Sequence, residues 1–167
     1  MADTVRDRAA LETLLADNTI GAISPQDLRD FLASVKLAAE TPARVLRDFV
    51  FVLAAGTPAT AGNDKGNAAV CSYAGTFIKA KAYAKTGPTG ADLIFDINKN
   101  GTTIWTSQSA PDNRLKIAAS SQAGTASAFD VTSFAEGDKL TPCIDQIGST
   151  IAGQDITIVL TVQYEVS

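Results

Sequence analysis

Apolar positions along this chain recur with two different periods, and the change between them divides it. From residue 1 to about 46 the spacing is helical. Thr4 followed by Asp7 resembles a capping box, and Val5, Leu11, Leu14 and Leu15 suggest an apolar stripe. "DNTIGA" at 17–22 interrupts it, with Gly21 inside the break. A second start is clearer. Ser24 suits an N-cap, Pro25 the first helical position, and Asp27 adds negative charge to the first turn. Leu28, Phe31, Leu32 and Val35 follow at i, i+3, i+4 and i+7, one face of a helix. "AETPAR" at 39–44 ends the module.

From about Arg47 the period falls from 3.6 to 2. "DFVFVL" reads as a strand and 54–68 as a turn-rich loop. In "TFIKAKAYAK", Ile78, Ala80, Ala82 and Ala84 fall on one face, with Phe77, Lys79, Lys81, Tyr83 and Lys85 on the other. "ADLIFDI" and "TTIWT" flank a turn, "RLKIAAS" is a further strand, and 128–149 holds one or two more. Ile156, Ile158, Leu160, Val162, Tyr164 and Val166 alternate most cleanly. Seven or eight short strands separated by turn signals predict a mainly β fold, an antiparallel β-sandwich behind a short N-terminal α-helical module. The expected domains are 1–46, helical, and 47–167, β.

Asp96, Asn98, Asn100 and Gly101 also spell D-x-N-x-N-G, the opening of a calcium loop. Such a loop needs flanking helices and a bidentate glutamate at its twelfth position, which here is Ser107. The flanks are β-branched and aromatic instead, so Asn100-Gly101 is read as a hairpin turn. A two-residue loop pairs Ile97 with Ile104; a three-residue loop with a bulge pairs Phe95 with Trp105. Both registers fit the sequence.

Composition narrows the chemistry. The 167 residues are 46% apolar, enough for a real core. Net charge is −4, with mild acidity in both segments and no basic footprint for nucleic acid. There is no histidine, which removes imidazole bases and imidazole zinc sites. The longest apolar run, "FVFVLAA", is far short of the ~20 residues that a membrane helix needs. The first residues are charged and carry no secretory pattern, so synthesis in a cytoplasm is expected. Cys71 and Cys143 are two buried thiols or one disulfide.

Few side chains stand out as functional. Lys79, Lys81, Lys85 and Tyr83 form a basic, aromatic strip, and Trp105, Tyr73, Tyr83 and Tyr164 are candidates for a sugar-stacking platform. A possible glycan contact is therefore Lys79, Lys81, Tyr83 and Trp105. The bland alternatives are a solvated strand face and core aromatics. Asp130, Glu136, Asp138 and Asp145 could supply a carboxylate pair for glycoside hydrolysis, but acids around turns are usually only solvated. No nucleophile elbow, phosphate loop, dinucleotide fingerprint or metal cluster is present. No catalytic residue, cofactor or metal is assigned.

The helical module carries more information. A segment of 46 residues rarely buries enough surface to stand alone. Its stripe of Leu28, Phe31, Leu32 and Val35 is worth about 1.5–3 kcal/mol per buried side chain. The first helix, the chain's own sandwich or a neighbouring subunit could cover it; a subunit is the expected cover, so these four are the predicted anchoring interface.

"LLADNTIGAISPQDLRDFLASV" at 14–35 resembles a segment near the N-terminus of many tailed-phage structural proteins, ahead of variable display domains. The remainder resembles small jelly-roll-like β-sandwiches of phage virion proteins. The matching stretches are "FVFVLAAG", "DLIFDINKNGTTIW", "RLKIAAS" and "SFAEGDKLTPCIDQIGST". Cys143 departs from the aliphatic residue expected there. The resemblance implies a non-enzymatic virion protein, a head decoration or spike, or a tail component for host adsorption. Its expected partners are other virion proteins of capsid or tail, and further copies of itself, most simply as a trimer. The alternative is a stand-alone carbohydrate-binding module recognising a host surface glycan. Neither nucleic acid nor membrane is an expected partner.

Overall fold

The computed structural model describes residues 29–33, 43–108 and 112–166. The chain forms two compact units that divide between Ala43 and Arg44. In the first, residues 29–33 are a helix that buries Asp30, half-buries Phe31 and leaves Leu32 56% exposed. Leu28, Val35 and the earlier predicted helix lie outside the described residues.

The second unit is mainly β, two antiparallel sheets of five strands each. Its strands are β1(Ala43–Pro58), β2(Ala69–Val70), β3(Gly75–Thr86), β4(Leu93–Lys99), β5(Thr102–Thr103), β6(Lys116–Ile117), β7(Ala123–Ala126), β8(Ser133–Phe134), β9(Lys139–Gln146) and β10(Gln154–Val166). One sheet runs β1-β10-β3-β7, with β8 also on β3. The other runs β2-β9-β4-β5, with β6 also on β4. This is the expected sandwich, with a jelly-roll-like character.

Strands β10 and β3 form its most extensive pairing. Ile156, Ile158 and Leu160 stand beside Ala84, Ala82 and Ala80. All six point into the core. Bulk on one strand next to alanine on its neighbour lets the facing layer interdigitate. Leu93, Phe95 and Ile97 of β4, with Leu140 and Ile144 of β9, supply the opposite layer.

The predicted faces of β3 hold only from Lys79 onward. Thr161 pairs with Lys79 but Val162 pairs with Phe77, so Ile78 is an extra residue in a β-bulge. The bulge turns Phe77 into the core and leaves Ile78 40% exposed, which reverses the assignment of both. A period-2 pattern cannot register an inserted residue.

The turn is resolved in favour of the two-residue register. Asn98 pairs with Thr103 and Lys99 with Thr102, and the Ile104 N–H donates to the Ile97 carbonyl at 3.0 Å. Asn100 and Gly101 take φ of 52° and 85°, the left-handed values that a tight hairpin demands. The Asn100 amide also donates to Asp138 at 2.7 Å and its oxygen accepts the Lys139 N–H at 2.8 Å. This residue therefore ties the hairpin to β9. The first six positions of the would-be calcium loop are thus strand and turn.

The two sheets close on each other where β7 meets β6. A Cβ on Gly124 would collide with the Lys116 carbonyl oxygen, so only glycine permits that approach. Loop 59–68 covers the other side of β9. Gly62 exchanges two backbone bonds with Ile144, and the Lys65 N–H reaches Pro142 at 2.9 Å.

Candidate functional site

Strand alternation sends β1 side chains to two destinations. Phe51 and Leu53 enter the core, while Leu46, Val50 and Val52 remain 50–58% exposed. Asp48 shares their side, since it accepts the Thr161 hydroxyl at 2.6 Å from the adjacent strand β10. The outer face of this sheet therefore carries an apolar row along β1, with Val159 half-buried on β10. Further across lie Lys79, Lys81 and Tyr83 of the predicted strip. Lys81 stands between Val159 and Thr125, and Tyr83 between Thr157 and Ala123. A shallow depression of about 400 Å3 is lined by Lys81, Tyr83, Thr125, Thr157 and Val159.

Trp105 is not on that face, and its expected role as a glycan contact fails. The side chain is fully buried, stacks on Phe129 at 5.2 Å, and donates its indole N–H to the Ala128 carbonyl at 2.7 Å. The cause is local. The strand ends at Thr103, whose hydroxyl oxygen accepts the Trp105 N–H at 2.9 Å. The chain bends there, so Ile104 and Trp105 are both buried instead of alternating.

Of the predicted aromatic platform, Tyr73 and Tyr83 are half-exposed and Tyr164 is 8% exposed. Tyr164 instead sits in a corner with Phe49 and Tyr73, at ring separations of 6.5 and 5.6 Å. Phe134 backs it at 5.8 Å. The ring series continues inward through Phe77, 5.0 Å from Phe134, and Phe129, 5.7 Å from Phe77, to Trp105. The corner opens as a cavity of about 460 Å3 whose rim carries Val45, Arg47, Asp48 and Ser72. Burial pushes the Tyr164 phenol above its ordinary value, and a hydrogen bond from the Ser72 backbone opposes the shift.

The acids do separate structural work. Asp130 accepts Ser107 N–H at 2.7 Å and Thr106 Oγ1 at 3.2 Å. Asp138 accepts Ala135 N–H and Asn100 Nδ2. Those bonds hold both carboxyls below the usual range. Asp145 and Asp112 clamp Arg114 at 2.7 and 2.9 Å. Glu136 is exposed. Asp130, Asp138 and Asp145 thus lock different loops.

Asp96 is the one buried carboxylate among the described residues of the sandwich, 5% exposed on β4. Its Oδ1 accepts the Ile97 N–H at 2.6 Å and the Thr103 hydroxyl at 2.7 Å. Burial raises its pKa from 3.8 to about 6. Directly opposite on β9 is Cys143, whose sulfur accepts Asn98 Nδ2 at 3.3 Å. Both cysteines are free and buried, and burial pushes Cys71 up to about 11. No three His, Cys, Asp or Glu side chains converge as a metal group among the described residues.

No protein-family model and no curated protein matches this chain. Its functional surfaces therefore rest on its own geometry. Sequence reasoning missed Arg47, Asp48, Phe49 and Ser72 as a group. Ser72 and Tyr73 follow a two-residue strand too short to show a period. Tyr73 and Tyr164 were visible as aromatics, but they lie 91 residues apart in the chain and only the fold brings them together.

Proposed function

We propose that this protein is a non-enzymatic structural subunit of a tailed-phage virion, docked through its N-terminal helical segment and displaying the sandwich on the particle surface. The observation that carries this reading is the apolar row Leu46, Val50 and Val52 on the outer face of β1. Val50 and Val52 are neighbours on that face, with Leu46 beyond Asp48; exposed apolar side chains grouped this way mark contact surfaces, and burying the exposed half of each is worth about 1 kcal/mol. Leu32 in the preceding segment is exposed to a similar degree. A cyclic oligomer, most simply a trimer, gathers the β1 rows of its copies around one axis. The resemblance at 14–35 supports a virion as the setting, and either a head decoration or spike, or a tail adsorption role, agrees with it.

The carbohydrate module built on Tyr83 and Trp105 is less favoured, because Trp105 lies in the core. Light scattering and native mass spectrometry test the assembly reading. Wild type is expected as a defined oligomer at micromolar concentration, and the double variant Val50→Asp, Val52→Asp as a folded monomer. A wild-type monomer sinks the reading. The position of the chain in an electron-microscopy map of the intact particle tests the virion assignment.

A further inference from the structure

We infer that the outer face of β3 binds a linear acidic polysaccharide, laid along Lys79, Lys81, Tyr83 and Lys85. Trp105 has no part in this site, and charge does the selecting. The site does not rest on the assembly through β1, because β10 separates the two rows.

Position in the sheet comes first. Lysines on a strand commonly keep an exposed edge from pairing with another chain. That explanation fails here, since β3 lies inside its sheet, between β10 and β7. Lys81 and Tyr83 have backbone neighbours on both sides. Ala80, Ala82 and Ala84 point into the core, so Lys79, Lys81, Tyr83 and Lys85 share the outer face. Outward residues of a strand stand about 6.8 Å apart, so the row runs about 20 Å. A linear chain, not a compact ligand, matches that shape.

The ammonium groups on this row are unpaired. Among the described residues, none of Lys79, Lys81 and Lys85 makes a side-chain hydrogen bond or ion pair. The acids nearest in register are engaged elsewhere. Asp48, reached from Lys79 through Thr161, accepts the Thr161 hydroxyl at 2.6 Å. Asp155, level with Lys85, accepts the Gly56 N–H at 2.6 Å. Like charges along one strand face repel, and an anionic chain laid over them offsets that repulsion.

The surroundings favour sugar over other polyanions. Tyr83 leaves 51% of its surface open. The C–H groups on the apolar side of a pyranose carry slight positive charge and are drawn to the negative face of such a ring. The depression of about 400 Å3 at Lys81 and Tyr83 is lined by Thr125 and Thr157, whose hydroxyls both donate and accept. A single-stranded nucleic acid calls for successive stacking rings in a positive groove. This row has one ring, and the chain carries a net charge of −4. An acidic peptide matches the lysines but brings no sugar face for Tyr83.

Isothermal titration of the full-length protein tests the site. The probes are tetragalacturonate and a chondroitin sulfate tetrasaccharide, with maltotetraose, octathymidylate and hexaglutamate for comparison. At least one acidic tetrasaccharide is expected to bind with Kd about 0.1 mM in dilute salt. Raising NaCl from about 50 to about 300 mM should weaken it about tenfold, because exposed charges are screened. The combined variant Lys79→Gln, Lys81→Gln, Lys85→Gln should weaken binding about thirtyfold, from about threefold for each exposed pair. Tyr83→Ala should weaken it about fivefold. Lys65→Gln, Lys116→Gln, Lys139→Gln removes the same charge from the other sheet and its covering loop, and should change affinity by less than about twofold. Melting temperatures should stay nearly unchanged for these surface positions. The inference is overturned if neither acidic tetrasaccharide binds, or if maltotetraose binds as tightly. It is also overturned if octathymidylate or hexaglutamate binds more tightly, or if the two triple variants weaken binding equally. None of these outcomes depends on the oligomeric state found above.

Discussion

The Thr103 hydroxyl donates to the buried Asp96 carboxylate at 2.7 Å, and the same oxygen accepts the Trp105 N–H at 2.9 Å. One small side chain therefore connects a raised acid to the residue that anchors the core. Because Asp96 titrates near pH 6 when folded and near 3.8 when not, the folded state binds more protons between those values. Its contribution to stability is full below pH 3.8 and is lost as pH rises through about 6, by about 3 kcal/mol at most. Asp96→Asn keeps an acceptor for Thr103 and Ile97 without the charge. Urea midpoints at pH 4 to 7 should show the variant gaining on wild type as pH rises, then levelling above pH 6. A pH-independent difference would falsify the buried-charge account.

Trp105 should behave as a core residue in every assay. Trp105→Ala is expected to cost about 3–5 kcal/mol in urea denaturation. Trp105→Phe preserves a ring for Phe129 but leaves the Ala128 carbonyl without its indole donor, and should cost about 1–3 kcal/mol. If either variant kept wild-type stability, the core placement of Trp105 would be contradicted.

The hairpin makes a metal-free forecast. Gly101 has open space around its missing Cβ, so Gly101→Ala should cost only about 1 kcal/mol, from its positive φ. Calcium or a chelator should leave the melting temperature unchanged for both wild type and variant. A calcium-dependent rise in wild type would restore the ion-site interpretation of residues 96–101.

Gly124 should be far less forgiving. Its added Cβ meets backbone, not a flexible side chain, so β6 and β7 must separate to admit it. Gly124→Ala is expected to cost more than Gly101→Ala, about 2–4 kcal/mol. Equal effects in thermal melts would contradict the tight seam.

Sequence patterns revealed these elements unevenly. β10 was legible because one of its faces is buried along nearly its whole length. The central hairpin was legible because Asn-Gly demands a particular backbone. β2, β7 and β8 were not, since two to four residues such as "AGTA" carry no period and owe their pairing to longer neighbours. β9 was blurred by Pro142 in its middle. The candidate site was harder still. Lys79, Lys81 and Tyr83 could be placed on one face by counting, whereas Trp105 turned inward through a side-chain bond that no alternation rule contains. The corner around Tyr164 depends on distant strands meeting, which is a property of topology.

The bulge at Ile78 has a consequence for how this chain tolerates change in length. Removing Ile78 would leave Phe77 and Lys79 adjacent, opposite Val162 and Thr161, in an unbroken ladder with the same residues inside and outside. Deleting any neighbour within the regular part of β3 would instead swap lysines for alanines across the sheet. The strand thus has one expendable position, and it lies between the buried Phe77 and the lysine-bearing stretch.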